Sequence, residues 1–417
     1  MTNGTTEVAV IGGGAAGIAA ARALGEAAVD CLVIEARPRL GGRAWTVTDP
    51  SGFAIDLGCG WLHSADRNPW RIVAEKQGRM IDKTPPPWGR PSLPIGFPLA
   101  EQKDYFTALR SFYSRLHAAP ASGPDRPASD LLTANGRWNN LINAVSTYAN
   151  GAELDHVSTR DFAHYDDSGV NWRVVEGYGA VIAAHGADLS LALDCPVHRI
   201  DHSGTRLRIE TARGVVTAEQ AIVTLPTTVL AQSEQLFAPA LPGKIEAAMG
   251  LPLGLDDKLF LSLDGAEEFE KESRAFGRTD RTATGVYHFR PFGRPQIECY
   301  FGGPLAIDLE SKGEGAFFDF AKAELGDLLG ATFSRRIKPI RVQRWGVDPF
   351  SRGSYSYARP GKADCRARLA AAVDDRLFFA GEACSTSNFS TAHGGWLTGV
   401  AAAEQVITAR KRTRSMG

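Results

Sequence analysis

Residues 7–17 read EVAVIGGGAAG and residues 30–35 read DCLVIE; the fold is decided between them. Glu7 to Ile11 is apolar and β-branched, the composition of a strand buried on both faces of a parallel sheet. Gly12, Gly14 and Gly17 then form a GxGxxG turn, and an alanine-rich run predicts a helix to about Ala28. Asp30 to Ile34 predicts a second strand, and Glu35 falls 18 positions after Gly17. In this strand–turn–helix–strand arrangement Gly12 permits the tight turn and Gly14 lets the backbone approach a pyrophosphate. Gly17 lets helix and strand pack closely. Free N–H groups at the helix start face the phosphates, and Glu35 is placed to accept hydrogen bonds from an adenosine ribose. Ala16, within the turn, and Ala36 and Arg37, directly after Glu35, join the candidate contacts.

The rest of the chain narrows the class. Its 417 residues carry a formal net charge of -1, with 44% hydrophobic and 22% charged residues, which excludes the basic footprint of a nucleic-acid binder. Cys31, Cys59, Cys195, Cys299, Cys365 and Cys384 are scattered, without a CxxC pair or zinc-ligand spacing; this predicts free thiols, a cytoplasmic location and no metal centre. No signal peptide is read at the N-terminus, and no segment reaches the ~20 apolar residues of a membrane span. Pro and Gly cluster over 84–98, and a second loop is expected over 118–127. Helices are predicted over 101–117, 314–330 and from about Ala392 to Ala409. Residues 196–226 predict hairpins with turns at Ser203-Gly204 and Arg213-Gly214, and 376–380 a strand.

Four further segments identify the chemistry. Arg39-Leu40-Gly41-Gly42-Arg43 follows the second strand and resembles the RxGGR element of the flavoprotein class that holds amine oxidases, desaturases and protoporphyrinogen oxidases. Asp56-Leu57-Gly58-Cys59-Gly60-Trp61-Leu62-His63, with Asn68-Pro69 after it, resembles the flavin amine oxidases, most closely their polyamine oxidase branch. Phe379-Ala380-Gly381-Glu382 is similar to the late FAGE element, and Ser390 to Trp396 (STAHGGW) to the segment that opens the last helix. The resemblance implies bound FAD. Gly41, Gly42 and Arg43 would face its pyrophosphate, and Gly58, Cys59, Gly60 and Trp61 would run along the flavin. Val197 would meet the adenine, Glu382 the ribityl or pyrophosphate region, and the amides near Thr391 and Ala392 the pyrimidine oxygen, where a helix N-terminus stabilises negative charge.

The same resemblance assigns the reacting end. Lys258, in GLDDKLFL, would bond the flavin through a water and help oxygen react. Trp345 opens a block, WGVDP to RGSYS, in which monoamine oxidases carry a cysteine joined to FAD; Ser354 stands here, so noncovalent FAD is expected. Tyr355 and Trp396 would form an aromatic cage that orients an amine without a counter-ion. His63 either bonds an internal substrate nitrogen or stacks on the flavin loop. Asp155, Asp161, Asp166, Asp167 and Glu176 are candidate carboxylates for a distal ammonium. The expected fold is α/β: a Rossmann-type FAD domain (1–80, 185–240, 345–417), of the amine oxidase and glutathione-reductase-like superfamily, interleaved with an α+β substrate domain (81–184, 241–344). The expected partners are a small-molecule amine, a polyamine or secondary amine being favoured, and oxygen. A desaturase or protoporphyrinogen-oxidase-like enzyme would lack Lys258 and the Tyr355/Trp396 pair. A non-catalytic binder like the prenyl-GTPase dissociation inhibitors is opposed by the GxGxxG turn, Glu35 and Arg43.

Overall fold

The computed structural model describes residues 3–119 and 123–416, so part of the loop expected over 118–127 lies outside the described residues. The expected opening is present: a strand at Asn3–Ile11, a helix at Ala15–Glu26 and a strand at Cys31–Ile34. The two strands pair in parallel, Val8 beside Cys31 through Ile11 beside Ile34. On its other side the first strand pairs in parallel with Gly214–Val223, the longest strand of the described chain. The first half of that strand turns back in antiparallel pairing with Leu207–Thr211, and its second half pairs in parallel with Leu377–Phe379. Eight strands make up this larger sheet.

Alternation decides what each face covers. Val8, Val10, Val33, Ile222 and Phe378 point to one side, against Ala16, Ala20 and Leu24 of the first helix and Ala402, Ala403 and Val406 of the helix Ala392–Met416. Ala9, Ile11, Ile34, Ala221 and Val223 point to the other. Each fully buried aliphatic side chain among them contributes roughly 1.5–3 kcal/mol. The helix Pro242–Gly250 adds Ala247 and Ala248 to this second core, so the chain leaves the larger sheet later than residue 240.

A second, five-stranded antiparallel sheet runs in the order 273–276, 286–289, 296–302, 256–263, 337–343. Leu259, Leu261, Ile297, Cys299, Phe301, Tyr287 and Phe289 form its apolar face against Phe317, Ala321 and Leu325 of the helix Glu314–Leu329. The alternate positions, Lys258, Glu298, Tyr300, His288 and Arg274, therefore share the opposite face.

Candidate active site

One cavity of about 1010 Å³ lies between the two sheets. Every residue expected at the cofactor or the reacting centre lines it, except Gly17 and Trp396. Gly17 serves the turn itself, since a Cβ there would overlap the carbonyl oxygen of Gly12. Gly12 has a φ of +108°, a conformation that L side chains rarely adopt. Gly14 differs from both. A Cβ on it meets only Gly41 O and Gly42 Cα at 3.9 Å, an ordinary contact, so the space kept clear by glycine is in the cavity. The start of the helix Ala15–Glu26 carries no side-chain cap, which leaves its first amides for a ligand. These residues fit a dinucleotide pyrophosphate.

Glu35 braces the turn: its carboxylate accepts from the Gly13 amide at 2.6 Å and from the Arg37 amide at 2.8 Å. Arg37 reaches Asp348 at 2.5 Å and Ser351 Oγ at 2.8 Å, joining the first βαβ unit to the WGVDP block some 300 residues on. Arg43 donates to Glu382 at 3.0 Å and to the Ser354 carbonyl. Arg43 and its neighbours hold the Glu382 carboxyl below its usual range against the opposing effect of burial. Ser356 Oγ also donates to Glu382, at 2.6 Å, and the Ser390 amide at 2.9 Å. The final helix begins at Ala392, where Thr391 Oγ1 caps the Gly394 amide at 2.9 Å.

Lys258 stands at the Gly58–Gly60 loop; a Cβ on Gly60 would sit 3.4 Å from its Nζ. The ammonium donates to Asp56 O at 3.2 Å and pairs with Glu298 at 2.9 Å. Burial pulls the Lys258 pKa down, but the Glu298 carboxylate outweighs it and the net direction is up. Glu298 is in turn 3.7 Å from His288 Nδ1, and His288 Nε2 lies 2.7 Å from Glu272, which pairs with Arg173 at 2.6 Å. Neither Glu298 nor His288 is among the residues expected from the sequence. The readable signal is a single acidic or basic residue, His288 or Glu298, within each of two largely apolar strands (VYHF, QIECYFG).

Tyr355 lines the cavity and donates its hydroxyl to the Tyr148 carbonyl. Beside it Asp256 is buried, and desolvation pushes its carboxyl well above the usual range. His63 also faces the cavity, with Nδ1 2.6 Å from Asn171 Oδ1; burial lowers its pKa, so the ring is neutral at pH 7.

Trp396 requires a correction. Its ring packs at 4.7 Å against Trp70 and at 5.3 Å against His185 and does not line the cavity. Thr391, Ala392 and Gly395 are the residues of this segment that reach the cavity. Trp396 is absent from the cavity lining because its ring is taken up by Trp70 and His185, and no Tyr355/Trp396 cage faces the cavity. Trp61, Trp88, Tyr300 and Phe389 supply rings instead, Trp88 from the Pro-rich excursion. Of the five candidate carboxylates only Asp167 lines the cavity. Asp161 is held by Arg366 at 2.6 and 2.8 Å, Asp166 by Arg67 at 2.7 Å, Glu176 accepts from the Met80 amide, and Asp155 stands beside His156.

A dinucleotide-type glycine turn opening into one cavity with a buried lysine at the Gly58–Gly60 loop fits an FAD-dependent oxidoreductase. Residues 15–158 and 111–407 match the model of the flavin containing amine oxidoreductases, and the chain belongs to that family. FAD is its cofactor, and it is an amine-oxidising oxidoreductase. It is similar to polyamine oxidase 2 of Arabidopsis thaliana, 29% identical over 97% of this chain and 88% of that protein. Polyamine oxidase 5 of Oryza sativa subsp. japonica is 28% identical over 95% of this chain and 87% of that protein. Lysine-specific histone demethylase 2 of Homo sapiens is 24% identical over 96% of this chain and 53% of that protein. Among solved structures, a putrescine oxidase redesigned in its cofactor binding shares the fold, with a TM-score of 0.78 and 17% identity over 97% of this chain and 100% of that one.

Proposed function

We propose that this protein oxidises the carbon next to an amine nitrogen, a polyamine or other secondary amine being favoured, with FAD held noncovalently. The amine loses a hydride equivalent and a proton, the resulting imine is hydrolysed to a carbonyl compound and an amine, and oxygen is reduced to hydrogen peroxide. FAD supplies the electron acceptor for this chemistry and returns the electrons to oxygen. The names of the relatives support the substrate class. FAD would be held by segments 1–80, 185–251 and 345–417, the amine by 81–184 and 252–344. Free thiols at all six cysteines support a cytoplasmic location. Among the described residues no helix is long and apolar enough to cross a membrane.

The observation that carries the reading is the meeting of Lys258, the Gly58–Gly60 loop and Tyr355 in one cavity with the dinucleotide turn. Arg43, Glu382 and the amides of Gly14 and Ala15 would hold the pyrophosphate end, and the Ala392 amide the flavin ring. Tyr355 and Trp61 would orient the substrate. Burial pushes the Asp256 carboxyl well above its usual range and so works against an ionised carboxylate on that wall that would keep the reacting nitrogen protonated. Lys258, charged through its pair with Glu298, would place an N–H donor where oxygen is reduced. A peroxide-coupled screen of spermine, spermidine, putrescine, acetylated polyamines, monoamines, cyclic amines and amino acids tests the proposal. Peroxide from at least one amine is expected; an FAD-loaded protein that no amine bleaches would sink it.

A further inference from the structure

The two-sheet cavity has a far end, and its charge is unusual for a site that receives a polycation. Arg274 lines the cavity from the edge strand Ser273–Phe276. Its Nε donates to Ser92 Oγ at 3.3 Å and its guanidinium lies 4.7 Å over the Phe276 ring. No carboxylate pairs with it among the described residues, and its buried Nη2 has no hydrogen-bond partner. The groups that act on it electrostatically are the phenols of Tyr105 and Tyr148; burial lowers its pKa to about 10, which leaves it charged at neutral pH. A buried guanidinium without an anion is costly, and a planar fork of N–H donors matches a carboxylate.

The second sheet sets the distance. Arg274 is directly opposite His288, His288 opposite Glu298, and Glu298 opposite Phe260, two residues beyond Lys258 on the same face. Three strand spacings therefore separate the Lys258 strand from the Arg274 strand, about 14 Å. Between them lie His288, engaged with Glu272, and the apolar or aromatic walls of Leu109, Val145, Tyr148, Phe276 and Val286. The carboxylates available to a chain of ammonium groups are few. Glu35 and Glu382 are engaged at the dinucleotide end, and burial pushes the Asp256 carboxyl well above its usual range, which leaves Asp167 as the other carboxylate of the lining.

We infer that the favoured substrate is a secondary amine on an apolar chain whose far end carries a carboxylate, bound by Arg274, in place of the second ammonium of a polyamine. This rests on the amine-oxidase reading above and narrows its substrate. The amine enters with its nitrogen at the Lys258 end, while the carboxylate receives the two free donors of the guanidinium. A free diamine of equal length brings a like charge to Arg274 instead.

The test uses the FAD-loaded protein and pairs of N-methyl α,ω-diamines and N-methyl ω-amino acids of matched length, from four to eight carbons. Anaerobic bleaching of the flavin gives Kd and the reduction rate for each. The amino acids are expected to bind more tightly than the diamines. Arg274→Gln should raise their Kd about 10- to 100-fold, the loss of a charge-assisted bond pair, and lower that of the diamines. Tighter binding of the diamines to the wild-type protein, or equal effects of Arg274→Gln on both series, overturns the inference. Hexanoate, which cannot be oxidised, supplies a second readout through its perturbation of the flavin spectrum, which Arg274→Gln should abolish. If no amine bleaches the flavin, the amine-oxidase reading fails, while hexanoate still decides whether the anion site exists. The flavin content of Arg274→Gln reports whether that variant has folded.

Discussion

Lys258 Nζ stands 2.9 Å from Glu298 Oε1, and each side chain is a tenth exposed or less. The pair holds Lys258 above its usual range and Glu298 below its own, in both cases against burial. A raised lysine contributes stability below its unfolded pKa and loses it as pH rises through the folded value. A depressed glutamate contributes above its unfolded pKa and loses it as pH falls through the folded one. The pair is therefore fully stabilising between about pH 4.3 and 10.4. Glu298→Gln should cost about 3–5 kcal/mol in urea titrations at pH 7, because it strands a buried ammonium. Lys258→Met should slow flavin reoxidation by oxygen in stopped flow while FAD stays bound. Unchanged oxidation kinetics would remove Lys258 from the mechanism.

Gly14 and Gly17 should separate cofactor binding from folding. Gly14→Ala meets no protein atom closer than 3.9 Å, so the apoprotein should melt within a few degrees of wild type yet bind FAD at least tenfold more weakly. Gly17→Ala collides with Gly12 and should destabilise the apoprotein by about 1–3 kcal/mol. Melting curves of the apoprotein and FAD titrations measure the two effects.

Ser354 Oγ accepts from the Asp256 amide at 2.9 Å and donates to the Asp256 carbonyl at 2.8 Å, so the side chain at this position is engaged with the backbone of the neighbouring strand. Acid precipitation should release the yellow colour into the supernatant. Colour retained in the pellet would contradict noncovalent FAD.

The positions of Tyr355 and Trp396 predict opposite phenotypes. Tyr355→Phe should change turnover or KM several-fold with little loss of stability. Trp396→Leu should cost about 1–3 kcal/mol through its lost packing on Trp70 and His185, with turnover per bound FAD nearly intact. A Trp396 variant of normal stability and lost turnover would restore the cage.

His393 is buried at the start of the last helix, and burial lowers its pKa to about 4. Its neutral form is favoured in the folded protein, so stability should fall as pH drops from about 6.5 towards 4, by up to about 3 kcal/mol from this group. Thermal melts across that range should show the slope, and His393→Gln should flatten it.

What the sequence conveyed was whatever depends on consecutive residues. The GxGxxG turn, Glu35, the GGR segment and the FAGE element are local, and residues of each line the cavity. Trp396 was misplaced although the helix start at Ala392 was legible, because which neighbours take up its ring, here Trp70 and His185, is set by segments far away in the chain. Glu298, His288 and Arg274 escaped notice because their partners lie across strands, and strand order is not written in any one segment. The helix Pro242–Gly250 crossed the expected boundary for a similar reason, its small residues fitting a core made elsewhere in the chain.

The strand Gly214–Val223 joins Asn3–Ile11 to Leu377–Phe379, and the helices Ala15–Glu26 and Ala392–Met416 lie side by side on it. A ribosome therefore delivers the GxGxxG turn nearly 400 residues before the helix that completes its enclosure. Until that helix emerges, the valines and alanines of the first unit have no lid, and cofactor capture must wait for late synthesis. Chaperone dependence and flavin supply should then act together on the yield of active protein: a cell short of riboflavin would accumulate chains that are finished but empty.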